Sequence, residues 1–145
     1  MPRALYLEIV TAERLVYSGP VDSINAPGSE GRLGILPGHV GFLTGLSAGE
    51  LRLKPRDDDE EISVAIGGGF LEVTADKVIV LAHSAERAWE IDVERALQAR
   101  TRAVRRIEER HADVDLDRAR AALARSEARV RVAERYHKMH TQQGR

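Results

Sequence analysis

Residues 90–96 read EIDVERA, and the side chains in that stretch suit two different jobs. Asp92 is a good helix N-cap, because its carboxylate accepts the backbone N–H groups that a first turn leaves unpaired, and Glu94 suits the positive end of the helix dipole. VDLDRA at 114–119 repeats the IDVERA of 91–96 at a distance of 23 residues, so the pattern predicts a second helix start there. The arginines add another chemistry. Arg95 and Arg102 are seven apart, two turns along one helix face, and Arg125 and Arg129 are four apart on one face of a second helix. In an antiparallel hairpin both pairs can point at one anion. Guanidinium groups stay charged and grip phosphate oxygens through two N–H bonds, which suits a triphosphate site without a glycine-rich phosphate loop. Arginine is also abundant, 13 of the last 55 residues, so a partner-facing basic surface fits the same spacing.

The remaining motifs offer less. GSEGRLG places glycines at Gly28, Gly31 and Gly34, but a strand pattern follows, so a phosphate would find no helix N-terminus and turn or bulge glycines are expected. GGGF at 67–70 has no following Lys and Ser/Thr and fails as a phosphate loop; it fits a bulge or a close contact with a partner chain. His39 has no suitably spaced ligand or nucleophile. Asp113, Asp115 and Asp117 have calcium-loop spacing without the glycine and distal glutamate such a loop requires, so helix capping is expected. His83, His111, His137 and His140 form no zinc-spaced set, and no metal site is expected.

The elements that must position these residues divide the chain. Up to about residue 86 the pattern is β: ALYLEIV alternates Leu5, Leu7 and Ile9 with Tyr6 and Glu8, the period of a half-buried strand. Short segments of this kind recur from RLVYSG to KVIVLAH, and about ten antiparallel strands are expected in a sandwich or flattened barrel. PRDDDEE between ELRL and ISVAI reads as a solvated hairpin tip. Beyond that the pattern is helical. Val93, Leu97, Arg100, Val104 and Ile107 follow a four-three spacing, as do Leu116, Ala119, Leu123, Ser126, Val130 and Ala133. The predicted architecture is a β-sandwich over 1–86 and an antiparallel two-helix hairpin over 87–145, with helices at about 92–110 and 115–138. The second stripe is rich in Ala and Ser, which permits close approach but buries little apolar area. EERHADVDLDR between the helices contains neither Gly nor Pro, so nothing locks the turn and the hairpin is expected to open into an extended form.

Composition agrees with this division. Residues 1–90 hold 8 Lys/Arg against 14 Asp/Glu, and residues 91–145 hold 14 against 9, so the halves carry −6 and +5 and face different partners or each other. No Pro follows Pro55 and no Gly lies between Gly69 and Gly144, which puts the change of architecture between 70 and 91. The chain has no cysteine, so disulfides and thiolate metal sites are excluded. Its apolar runs are too short to span a bilayer and MPRALYLEIV lacks a signal-peptide pattern, so a cytosolic or peripherally docked protein is expected.

APGSEGRLGILPGHVGFLTGLSAGEL and IGGGFLEVTADKVIVLAHSAE resemble the two signatures of the epsilon subunit of the bacterial F-type ATP synthase, and with the Ala/Arg-rich hairpin the likeness covers nearly the whole chain. Gly41 departs from the proline that this family places there. The resemblance implies a ten-stranded sandwich docking on the gamma subunit and the c-ring at the cytoplasmic face of the plasma membrane. It also implies C-terminal helices that regulate ATP hydrolysis by the alpha/beta catalytic subunits. Such a subunit couples proton transport to ATP synthesis as part of the rotor, is not itself catalytic and requires no cofactor. Nucleotide-binding members carry an [IL]DxxRA motif, matched by Ile91, Asp92, Arg95 and Ala96. Glu86, Arg102, Arg125 and Arg129 match the further positions used for adenine and phosphates. ATP is therefore the regulatory ligand the resemblance implies, and a purely structural coupling subunit is the alternative. A nucleic-acid-binding hairpin is the alternative of another class. Trp89 and Tyr136 form no stacking platform for it, and Glu94, Glu108, Glu109, Glu127 and Glu134 interrupt the basic surface.

Overall fold

The computed structural model describes residues 5–38, 40–109 and 113–143. Seven strands come first: β1 (Leu5–Val10), β2 (Leu15–Gly28), β3 (Gly31–Ile35), β4 (Phe42–Pro55), β5 (Ile62–Thr74), β6 (Lys77–Ala82) and β7 (Ala85–Arg87). A single 3-10 turn over Ala88–Glu90 leads into α1 (Val93–Glu109) and α2 (Asp113–Gln143).

The strands pair in the order β1-β6-β5-β4-β2-β3, and β1 also pairs with β2, so the bent sheet closes on itself as a flattened barrel. All pairings are antiparallel except β1 with β6, which run parallel with Leu7 opposite Val78. The alternation predicted for the first strand holds: Leu5, Leu7 and Ile9 are buried while Tyr6 is exposed. They meet Ile24, Leu51, Leu53 and Leu71 in a core made entirely of residues up to Ala85. Each such side chain contributes about 1.5–3 kcal/mol by leaving water.

The count of about ten strands is corrected to seven among the described residues. RLVYSG and VDSINA are one 14-residue strand, as are GFLTGL and ELRLKP, and ISVAIG and FLEVTA join into one of 13. The glycines between them bend a continuous strand instead of ending it. At Gly69, with φ +143°, an added Cβ would run into the Leu81 carbonyl oxygen, so the triple glycine serves close approach within the sheet. Gly28 and Gly31 close the β2–β3 turn as opposed residues, in accord with the turn reading. His39, His111 and residues 110–112 of the helix connection lie outside the described residues.

The helices extend differently from the expectation. α2 begins at Asp113, two residues before the predicted start, and continues to Gln143, five residues past the predicted end. At 1.5 Å per residue α2 is about 46 Å long and α1 about 25 Å, so α2 overhangs its partner. Of the six positions in the stripe predicted on α2, Ala119, Ser126, Val130 and Ala133 are buried, and Leu116 and Leu123 are half-buried. On α1 the stripe is displaced: Ala96 and Ala103 are the buried residues, while Val104 is 39% exposed. Small side chains on both helices let the backbones come close, which turns the larger β-branched residue outward.

α2 lies on strands β4 and β5. Val132 and Ala133 pack with Ala65, Ala88 and Ile91 in a second, smaller apolar cluster, flanked by Val93 and Tyr136. Arg135 Nη1 reaches Glu50 Oε1 on β4 at 2.7 Å, tying the overhanging end of the helix to the sheet.

Candidate functional site

Where β7, the 3-10 turn and the two helices meet, a cleft of about 420 Å³ opens. Its acidic wall is Glu86 from β7, Glu90 from the 3-10 turn and Asp92 ahead of α1; its basic wall is Arg95 and Arg102 on α1 and Arg129 on α2. Asp92 caps α1 as the sequence predicts: the Arg95 N–H donates to Asp92 Oδ1 at 3.1 Å, and the Ala96 N–H donates to the Asp92 carbonyl at 3.0 Å. This cap fixes the first turn of α1 and so aims Arg95. Asp92→Ala should destabilise the helical hairpin by about 1 kcal/mol, read as a lower midpoint for loss of helical circular dichroism in urea.

Three arginines against three carboxylates leave the lining formally neutral, but the charges are unevenly engaged. Arg129 Nε holds Glu86 Oε1 at 2.6 Å across the seam between α2 and β7. Glu90 is held by Arg14 Nη1 at 2.8 Å and by Arg87 Nε. Burial alone would raise the Glu90 carboxyl, but hydrogen bonds from Arg87 and Arg14, with their charges, outweigh it and keep the group below the ordinary carboxylate range. Arg95 and Arg102 have no ion-pair partner among the described residues and extend along the open face of α1, with Ala99 between them in the lining. The cleft thus offers two unengaged guanidinium groups and a third that is exchangeable, a donor set for an anion carrying several oxygens.

Six of the eight residues singled out from the sequence line this cleft: Glu86, Asp92, Arg95, Ala96, Arg102 and Arg129. Ile91 is instead 8% exposed in the small apolar cluster beneath the hairpin. Arg125, half-buried, has its Cδ beside Gly67 of β5 and does not line the cleft. Sequence reasoning missed Glu90, Gln98 and Ala99. The last two are three and four residues beyond Arg95 on the same helical face, a signal available from spacing. Glu90 was masked by lying in an irregular turn. Trp89 and Tyr136 pair with each other, rings tilted at 47° with centroids 6.2 Å apart. No group of three or more His, Asp or Glu side chains among the described residues is arranged so that it could hold a metal ion, and none of their helices is long and apolar enough to cross a membrane.

Two family models match the chain: the β-sandwich domain of the ATP synthase delta/epsilon chain over residues 4–88, and its long α-helix domain over residues 90–134. The ATP synthase epsilon chain of Moorella thermoacetica is 50% identical over 130 residues, 90% of this chain and 96% of that one. That of Nitratidesulfovibrio vulgaris is 48% identical over 132 residues, 91% and 97% of the two chains. A chain in the cryo-EM structure of the Euglena gracilis mitochondrial ATP synthase, with OSCP, F1 and c-ring in rotational state 1, shares the fold at a TM-score of 0.76. It is 23% identical, and the match covers 88% of this chain and 80% of that one.

Proposed function

The chain belongs to the ATP synthase delta/epsilon family, and from that premise we propose that it is the epsilon subunit of a rotary, proton-translocating ATP synthase whose helical hairpin is an ATP-responsive brake on hydrolysis. The observation that carries the subunit assignment is the match of both domains, in order, to epsilon chains of nearly the same length. In this reading the sandwich docks on the gamma subunit and the c-ring, peripheral to the membrane at its cytoplasmic face, and couples rotation to ATP synthesis. The hairpin faces the alpha and beta catalytic subunits.

Support for nucleotide sensing comes from the cleft. It is bordered by β7, α1 and α2, so an anion held by Arg95, Arg102 and Arg129 links both helices and favours the folded hairpin. ATP at ten times its dissociation constant stabilises the folded form by RT ln 11, about 1.4 kcal/mol, which shifts the equilibrium roughly tenfold. The helices meet through small residues, and their apolar contact with the sheet is the minor cluster, joined by the ion pairs of Arg129 with Glu86 and Arg135 with Glu50, so a shift of that size is consequential. Falling ATP releases the helices to extend along gamma, where the basic α2 meets acidic surface and stops rotation in the hydrolytic direction. Glu86 and Glu90 are held as carboxylate partners of arginines, so the reading is binding without turnover.

Calorimetric titration of ATP into the full chain tests this directly. Saturable one-to-one binding, weakened at least tenfold by Arg95→Ala, is the expected result, because a charge-assisted bidentate contact is worth about 1.5–3 kcal/mol. Absence of heat at millimolar ATP would leave a structural coupling subunit in which residues 91–96 only start a helix.

A further inference from the structure

A second basic cluster lies where α2 crosses the sheet, and it shares no residue with the cleft between the helices. A groove of about 400 Å³ there is lined by Arg32 of β3, Arg52 and Glu50 of β4 and Arg131 of α2, with the backbone of Gly31 and Gly49. Arg135, one turn beyond Arg131, joins the same cluster from α2. Four guanidinium groups from three elements thus surround a single carboxylate.

That carboxylate cannot balance them. Glu50 is 8% exposed, its Oε1 takes both Arg135 at 2.7 Å and Arg52 at 3.6 Å, and its Oε2 is buried without a hydrogen-bond partner among the described residues. Arg32 is fixed in place: its Nε donates to Asn25 Oδ1 at 2.7 Å and its Nη1 to the Glu50 carbonyl at 2.6 Å. Burial pushes the Arg32 guanidinium below its ordinary value, and the positive charges of Arg52, Arg135 and Arg131 add to that effect against the opposing pull of Glu50. Arg131 is exposed and has no ion-pair partner among the described residues. Among the lining residues three positive charges face one negative, in a groove whose donors are partly pre-positioned and therefore lose little freedom on binding.

We propose that this groove is an oxyanion site for a phosphate group, and that the bound group bridges Arg131 on α2 to Arg32 and Arg52 on the sheet. An anion there relieves the repulsion among the arginines and fastens the folded helices to the sandwich, independently of any nucleotide in the other cleft. The shared chemistry is a phosphate carrying at least two free oxygens, which both inorganic phosphate and a phospholipid headgroup supply.

The full-length chain can be titrated with sodium phosphate and, at matched ionic strength, with sodium chloride while its backbone amide resonances are followed. The expected result is saturable movement of the Gly31, Gly49 and Arg131 amides with phosphate and not with chloride. Arg131→Ala should weaken it about tenfold or more, whereas Arg95→Ala leaves it unchanged. Arg131 is exposed, so its removal does not threaten folding, and Arg131→Lys, which keeps the charge without the planar fork, should retain part of the affinity. If the headgroup is the source, cosedimentation with phosphatidylglycerol-containing vesicles, but not with phosphatidylcholine alone, is lost in Arg131→Ala. Responses equal in chloride, shifts confined to the amides around Arg95, Arg102 and Arg129, or dependence on Arg131 in neither phosphate nor vesicles would overturn the site.

Discussion

A chain ending after residue 110 should raise ATP hydrolysis by the assembled complex several-fold, most strongly at low ATP. The deletion removes α2 and with it Arg118, Arg120, Arg125, Arg129, Arg131 and Arg135, the basic face proposed to engage the catalytic subunits. It leaves the main core intact, because every buried residue of that core lies at or before Ala85. What it uncovers is small: Ala65, Ala88 and Ile91 lose Val132 and Ala133, and Glu50 loses Arg135 while gaining water. Removing a partner from a buried carboxylate is severe only where the carboxylate stays buried, and here the covering helix leaves too. The sandwich should therefore still assemble on gamma, and the change in hydrolysis isolates the helices. The dependence on ATP carries the sensing half of the proposal, since at high ATP the intact hairpin is already folded away and deletion changes little. Hydrolysis unchanged at every ATP concentration would remove the brake from this account.

Much of the architecture is legible in the sequence because it rests on periodicity. Leu5, Leu7 and Ile9 alternate because one face of β1 is buried, and Ala119, Ser126, Val130 and Ala133 recur because one face of α2 is. The strand count was not legible for a specific reason. Glycine marks a turn and a bend alike, and only the partner strand distinguishes them: β5 continues through Gly67, Gly68 and Gly69 while pairing with β4 along its whole length. Its other edge passes from β6 to β7 at the same place. The displaced stripe on α1 has a related origin. Hydrophobicity favours burying Val104, but the two helices meet through alanine, and closeness of approach decided the contact.

The candidate site was legible where side chains act locally and less so where they act across the fold. Asp92 caps its own helix, and spacing on α1 places Arg95 and Arg102 on one face, so both follow from positions within one element. Arg129 enters the cleft and Arg125 does not, although both sit on one face of α2, because Arg125 is engaged beside Gly67 where the helix comes down on the sheet. Long-range pairs such as Arg14 with Glu90 and Arg135 with Glu50 depend on the closure of the barrel and the docking of α2, and no spacing announces them.

The contact at Gly67 provides the sharpest mechanical test of docking. An added Cβ at that position would overlap the Ser84 hydroxyl and lie 2.9 Å from Arg125 Cδ, so valine there must displace the side chain through which α2 sits on β5. Overpacking of this kind costs about 1–3 kcal/mol, comparable to what the small cluster around Val132 and Ala133 contributes to docking. Gly67→Val should therefore shift the hairpin toward the undocked form by roughly fivefold to more than a hundredfold, since each 1.4 kcal/mol is a factor of ten. The strand itself should survive, because Gly67 does not adopt a left-handed conformation, valine keeps the N–H that donates to the Ser84 carbonyl at 2.8 Å in the parent, and the Ser84 hydroxyl can rotate away from the new side chain. Trypsin reads the difference, since α2 carries arginine at short intervals and cleavage tracks the open population when opening is fast. The variant should lose its helices at least fivefold faster than the parent while the sandwich stays whole, and saturating ATP should slow cleavage of the parent. Equal rates in variant and parent would show that the helices are held elsewhere, and that relief of the Gly67 contact is no part of the proposed opening.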